Sequence, residues 1–206
     1  DDFQVANNLA PTDHLTLANN LSLTGNGWSN GVTGPTLGAL YSHNGKITIS
    51  GTITLNGAAV LKRGYFKTNV TAIYLTEPRH TMDGIFKLRG PKRIELTILR
   101  DLTGPMLSRY FVADFKQSST EAEFKQLIGE VGRLGGIYAT INKVSKGDVV
   151  RLDWHPGVGI TGSINGKPIV DTSEAMNSEL MFHIFLRMYM TTAGNGADYQ
   201  QALLGS

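Results

Sequence analysis

From Lys46 onward apolar and polar positions alternate in short runs. Ile47, Ile49, Ile53 and Leu55 are separated by Thr and Ser, the period of a strand with one buried face. Asn56-Gly57, a pair that tolerates positive φ at both turn positions, predicts a hairpin there. Residues 58–66 and 69–76 read as further strands, and 78–90 as a polar connection. Within residues 90–115, Ile94, Leu96 and Ile98 alternate with Glu95, Thr97 and Leu99, so another strand is expected. Asp101-Leu102-Thr103-Gly104 ends it, Thr103 suits an N-cap, and Pro105, with fixed φ and no N–H, suits the first turn of a helix.

The next segment changes period. Thr120 and Glu123 have the spacing of a capping box, and Phe124, Leu127, Ile128, Val131 and Leu134 form an apolar stripe that Gly135-Gly136 is expected to stop. Strands follow at 148–154 and 158–164, then an Asn165-Gly166 hairpin and a short strand to Val170. Residues 173–191 are apolar almost all round, which predicts a deeply packed helix, and 197–204 form a short last helix before Gly205. Strands, helices, a hairpin and helices in that order make an α+β domain with an antiparallel sheet, not alternating βαβ units. Residues 1–45 hold only three charged residues, Asp1, Asp2 and Asp13, and are rich in Asn, Gly and Thr. They read as an N-terminal extension, with a small hairpin around Asn19-Asn20, packing on a main domain of residues 46–206 or else hanging as a flexible arm.

Composition narrows the classes. At 206 residues, 41% hydrophobic and 17% charged, the chain has room for one domain with an internal pocket. A net charge of +2, with Lys62-Arg63 and Lys92-Arg93 as isolated pairs, gives no basic stripe and argues against nucleic acid. The absence of cysteine excludes disulfides, thiolate catalysis and Cys-ligated metals. No apolar run reaches the roughly 18–20 residues of a membrane-spanning helix; the richest, 180–190, is interrupted by His183 and Arg187. A first residue other than Met fits a mature chain after signal-peptide removal, hence a periplasmic or secreted protein, or a trimmed piece.

Sites of known chemistry are scarce. Gly157-Val-Gly159-Ile-Thr-Gly162 matches a dinucleotide-binding spacing, but Val158 and Ile160 continue at strand period into a hairpin, where no helix N-terminus can receive a phosphate. His14, His43, His80, His155 and His183 offer no i,i+4 pair, so neither a metal nor a cofactor is expected. His183, on the buried helix, is the one to test for proton transfer. No Gly-x-Ser-x-Gly elbow is present, and Asp114 and Asp153 stand alone. Arg187 either snorkels from the edge of its helix or holds an acidic head group, and Lys62 and Arg63 carry the same two readings.

Several segments, in order and spacing, carry a resemblance: residues 55–60 (LNGAAV), 70–75 (VTAIYL), Leu102-Thr-Gly-Pro105, 146–150 (KGDVV), Gly166-Lys167 after a hairpin, and 199–204 (YQQALL). Together they resemble the chalcone isomerase superfamily, and in particular its bacterial exported branch. The resemblance implies an open-faced β-sandwich: a large antiparallel sheet with helices on one face, a smaller strand layer on the other, and a ligand cleft between sheet and helices. The plant enzymes close a flavanone ring using an Arg, a Thr, a Tyr, an Asn and a Ser or Thr. The matching positions here are Leu61, Asn69, Leu107, Asp114 and Met188. Leu61, Leu107 and Met188 supply neither the cation nor the hydroxyl network that the reaction needs.

The expectation is therefore a non-catalytic exported protein that binds a small apolar or amphipathic ligand, fatty-acid-like or aromatic. The cleft would be lined by Leu61, Tyr65, Leu107, Met181, Phe185 and Met188, with Arg63, Asp114 and Arg187 as polar contacts. In the fatty-acid-binding relatives the missing Arg holds the carboxylate, and Arg63, two residues beyond Leu61 and so on the same strand face, is its best substitute. An isomerase or intramolecular lyase rebuilt around Arg63, Asp114 or His183 is the alternative. A protein-interaction module without a pocket is the third.

Overall fold

The computed structural model describes residues 53–171, 175–191 and 195–205. The expected extension of residues 1–45, its small hairpin and the start of the first predicted strand lie outside them.

Among the described residues, eight strands and six helices follow in the order β1 (Thr54–Arg63), β2 (Phe66–Leu75), α1 (Met82–Lys87), β3 (Lys92–Ile98), β4 (Leu102–Thr103), α2 (Gly104–Gln117), α3 (Glu121–Gln126), α4 (Ile128–Thr140), β5 (Lys143–Val144), β6 (Val149–His155), β7 (Gly159–Ile164), β8 (Lys167–Val170), α5 (Glu179–Met190) and α6 (Ala197–Leu203). Six strands form one sheet in the order β1-β2-β3-β6-β7-β8, every neighbour antiparallel, and β4 pairs with β5. The predicted α+β class with a large antiparallel sheet holds.

The two faces of the sheet differ as the alternation requires. On β3, Lys92, Ile94, Leu96 and Ile98 are buried, while Arg93, Glu95 and Thr97 are half-buried on the opposite face. That second face carries cross-strand ion pairs: Arg93 Nε donates to Asp153 Oδ1 at 2.6 Å and Arg151 Nε to Glu95 Oε2 at 2.7 Å. The smaller strand layer expected there is not seen among the described residues. The two-stranded β4–β5 ladder instead borders the helix-side core, through buried Leu102 and Val144.

Five local expectations change. Asn56-Gly57 makes no hairpin; β1 runs through it with a bulge between Leu55 and Gly57. The Asn56 side chain bonds the backbone of Arg79 at both N (2.7 Å) and O (3.0 Å), and also Leu203 O at 3.0 Å. Only glycine fits at 57, where a Cβ would stand 2.1 Å from Ala202 O. The hairpin turn falls instead at Gly64-Tyr65, with Gly64 at φ +59°.

The connection at 78–90 contains α1, capped by the Thr81 hydroxyl and anchored by fully buried Ile85. The helix from 121 breaks at Leu127, whose φ of −106° and ψ of 10° divide α3 from α4. The capping box of Thr120 and Glu123 forms, but the break leaves Ile128 60% exposed. Gly135-Gly136 does not stop α4. Gly135 lets α2 approach, since a Cβ there would meet Val112 Cγ2 at 3.3 Å. Finally, α5 starts at Glu179 rather than near 173, because Met176 is held extended by paired backbone bonds with Ile160.

The remaining elements form as the pattern predicts. Asn165 (φ 50°) and Gly166 (φ 80°) make the β7–β8 turn, and Gly157 and Gly159 sit in the β6–β7 hairpin rather than at a helix N-terminus. Met181, Phe182, Ile184, Phe185, Leu186 and Met190 of α5 are all fully buried. Each such side chain contributes about 1.5–3 kcal/mol of hydrophobic stabilisation, so α5 is the main weight holding helices to sheet. No helix among the described residues is long and apolar enough to cross a membrane.

Candidate functional site

Between the sheet and helices α2, α4 and α5 lies a cavity of about 80 Å³. Its floor is Leu61 of β1 with Leu96 and Ile98 of β3, and its roof includes Leu107 and Phe111 of α2 and Met188 of α5. These walls follow from the alternation on the strands and from the packing of α2, whose Phe111 and Phe115 rings meet Phe185 at 5.8 and 5.7 Å.

Polar groups enter this apolar space through one irregularity. The register between β1 and β2 shifts between Leu61, which pairs with Asn69, and Lys62, which pairs with Lys67. Thr68 is the extra residue. Such a bulge turns two consecutive side chains to one side, so Thr68 and Asn69 both border the cavity, at 5% and 6% exposure. Thr68 Oγ1 lies 3.1 Å from Leu61 O and from Asn69 Oδ1. The Asn69 amide donates to Thr71 Oγ1 at 2.9 Å, and Tyr199, 3.2 Å from that hydroxyl, donates to Tyr189 O at 2.7 Å.

A second polar feature stands at the cavity edge. Arg63 and Asp114, one at the end of β1 and the other on α2, form a two-pronged ion pair, with Nη1 donating to Oδ1 at 3.1 Å and Nη2 to Oδ2. The Arg63 guanidinium lies 4.9 Å from the centre of the Tyr110 ring. Burial acts to lower the Arg63 pKa, but the hydrogen bond and charge of Asp114 more than offset it and hold it above the ordinary value. Arg63 is a fixed cation.

The phenols are not bases. Burial pushes Tyr138 up, pushes Tyr189 well above its ordinary value and pushes Tyr199 up to about 12, so all three are protonated hydrogen-bond donors near neutrality. No group of three His, Asp or Glu side chains capable of holding a metal occurs among the described residues.

Of the residues singled out from the sequence, Leu61, Arg63, Asn69, Leu107, Asp114 and Met188 border this cavity. The union of Arg63 with Asp114 is new, since each reads in the sequence as a lone charge. The other four do not line it. Tyr65 is 102% exposed at the β1–β2 turn, because the turn falls there rather than at 56–57. Met181 and Phe185 are fully buried in the core. Arg187 donates to Glu123 Oε1 at 2.8 Å, and that bond, with the Thr120 N–H, lowers the Glu123 pKa. Sequence reasoning does not find Thr68, Tyr110, Tyr138 or Tyr189. No local signal marks the bulge that brings in Thr68, and an all-round apolar helix does not reveal which face Tyr189 lies on.

A contrasting polar cluster sits at the other end of α5. Lys92 is 1% exposed, with Glu179 Oε1 4.0 Å from its Nζ. His183 Nε2 is 3.8 Å from the same oxygen, is buried, and has no hydrogen-bond partner among the described residues. The His183 ring packs 4.7 Å from Phe86. Burial pushes both pKa values down. None of these side chains borders the cavity.

The profile of the chalcone isomerase-like family matches residues 43–205. Among solved structures, a fatty-acid binding protein of Arabidopsis thaliana superposes with a TM-score of 0.59 over 77% of this chain and 89% of that one, at 13% identity. At that identity the likeness is one of fold. No curated protein matches in sequence.

Proposed function

This chain belongs to the chalcone isomerase-like family, and from that premise we propose that it binds, without catalysis, a small amphipathic ligand with an acidic head group. The apolar part would lie between Leu61, Leu96, Ile98, Leu107, Phe111 and Met188, and the head group at Arg63 with help from Thr68 and Asn69. The observation that carries the reading is the placement of Arg63: a permanently charged, half-exposed guanidinium bordering an otherwise apolar cavity. The similarity to a solved fatty-acid binding protein supports the same ligand class.

Two features shape how the ligand would enter. At about 80 Å³ the cavity is smaller than the roughly 150 Å³ that admits a benzene ring, so binding must widen it. The unbranched Met188 side chain is the wall most able to move. Asp114 occupies the guanidinium that a ligand carboxylate would need, so the ligand must displace it. Leu61, Leu107 and Met188 stand where the plant lyases keep polar side chains, and the raised phenol pKa values leave the lyase reading without a base at Tyr138, Tyr189 or Tyr199.

Native mass spectrometry of freshly purified protein, before and after lipid extraction and after adding laurate, tests the proposal. A retained or added fatty acid at one per chain is the expected result. No bound acid, or turnover of chalcone that Asp114→Ala abolishes, refutes it. We further propose the exported bacterial branch and a periplasmic or secreted location, which a chain of 206 residues without cysteine fits. Finding the native protein in the cytoplasmic fraction would refute that placement.

A further inference from the structure

Among the described residues the turn between β1 and β2 carries two exposed aromatic side chains: Tyr65 is 102% exposed and Phe66 62%. Burying such side chains is favourable and exposing them is not, so a pair at the apex of a hairpin is a contact waiting for a partner. The charges around them are of one sign. Lys62 and Lys67 flank the turn on its two strands, and both are exposed. Arg100 lies 4.6 Å from the Phe66 ring, and Arg109 lies 5.6 Å from the ring of Tyr110, which Arg63 also covers. None of Lys62, Lys67, Arg100 and Arg109 is ion-paired among the described residues. The carboxylates nearest in sequence to Arg100 are already taken, Asp101 by Lys143 at 3.2 Å and Glu95 by Arg151 at 2.7 Å, and Asp114 is taken by Arg63. A chain of net charge +2 thus sets Lys62, Lys67 and Arg100, none of them ion-paired among the described residues, at one aromatic tip.

We infer that this tip docks on an anionic lipid surface, with Tyr65 and Phe66 entering the headgroup region and Lys62, Lys67 and Arg100 holding lipid phosphates. The shape favours a bilayer over a protein partner. A stable protein interface needs roughly 800 Å² from each side, which a two-residue apex does not offer, whereas aromatic rings collared by Lys and Arg match the membrane interface. Charge complementarity makes the lipid anionic. Arg63 ends β1 at the turn and borders the cavity, so docking would set the cavity edge against the bilayer. The docking surface goes beyond the ligand-binding reading and stands without it, because it is measured with no ligand added.

Sedimentation of the full chain with vesicles tests it. With phosphatidylcholine containing about a third phosphatidylglycerol, the protein pellets; with phosphatidylcholine alone, or in 0.5 M salt, most stays in solution. Lys62→Ser with Lys67→Ser lowers partitioning about tenfold or more, on the scale of roughly fivefold per basic residue. Tyr65→Ser with Phe66→Ser lowers it similarly while leaving laurate binding unchanged. Tyr65→Trp gives a reporter whose emission shifts to the blue on anionic vesicles only. Wild type that stays in solution, pelleting indifferent to both double variants, or an emission from the Tyr65→Trp variant that does not move each overturns the proposal. Retention on a heparin or polyaspartate column with the same variant dependence, but no pelleting, assigns the tip to a soluble polyanion or a protein and overturns it too. Loss of vesicle binding with laurate uptake intact refutes only the docking surface, and the reverse refutes only the ligand reading.

Discussion

A cation lies beside each end of α5, on the same face of the sheet. Near the C-terminal end Arg63 has a two-pronged carboxylate partner, an aromatic ring beneath it and a cavity beside it. Near the N-terminal end Lys92 is almost fully enclosed, with Glu179 at 4.0 Å and a histidine nitrogen that finds no partner. Both polar groups interrupt an apolar layer, yet it is the first that borders the cavity. A charge with a good partner and free space can exchange that partner for a ligand. An enclosed charge whose carboxylate partner is distant penalises the fold. The difference separates a candidate site from a structural compromise.

The sharpest way to test the contrast is to cut one large side chain at each end. Phe182 is fully buried, with Trp154 6.2 Å away at the Lys92 end, and Phe182→Ala should destabilise by about 3–5 kcal/mol in urea unfolding. Leu107, half-buried on a wall that already faces a void, should lose only about 1 kcal/mol on replacement by Ala, since less packing is forfeited. Equal losses would mean that the cavity end is packed as tightly as the other.

Lys92 supplies a change in the opposite direction. Lys92→Met replaces a poorly partnered buried amine by an apolar chain of similar length, and should stabilise by about 1–2 kcal/mol. Destabilisation of that size would show that Lys92 is held by more than its distant Glu179.

The smallest effect is a pH slope. Burial lowers the native His183 pKa, with Glu179 and the Phe86 carbonyl acting to raise it and Lys92 and Arg187 to lower it further. The unfolded chain, with a histidine pKa near 6.5, therefore takes up the proton first as the pH falls. The His183 contribution is intact above about pH 6.5 and is lost as the pH drops through the lower native value. Thermal unfolding of wild type and His183→Gln between pH 7.5 and 5 should show a steeper fall in the wild type. Parallel curves would contradict the assignment.

The elements legible in the sequence are those whose cause is local. The alternation of β3, Pro105 at the start of α2, the Thr120–Glu123 capping box and the Asn165-Gly166 turn each carry their own instructions within a few residues. Asn56-Gly57 carries the same kind of instruction and is overruled, because its side-chain partner Leu203 lies 147 residues away. Gly135-Gly136 is likewise a close-approach position for α2 rather than a helix stop. In the site, the positions implied by family resemblance led to Leu61, Leu107, Asp114 and Met188, and the two-residue strand period led to Arg63. The face of α5 was not legible. Its apolar residues surround the axis, so nothing in the pattern separates Met188 and Tyr189, at the cavity, from Met181 and Phe185 in the core. The Thr68 bulge depends on how two strands pair, which neither strand reveals alone.

The central claim is that Arg63 receives an acidic head group in exchange for Asp114. Competition of laurate against a fluorescent fatty acid, measured on wild type, Arg63→Met and Asp114→Asn, tests it most directly. One laurate should bind per chain. Affinity should fall about 10- to 100-fold in Arg63→Met, the loss expected for hydrogen bonds to a charged group, and should rise in Asp114→Asn, which frees the guanidinium. Binding that ignores Arg63→Met, or that weakens in Asp114→Asn, would contradict the account.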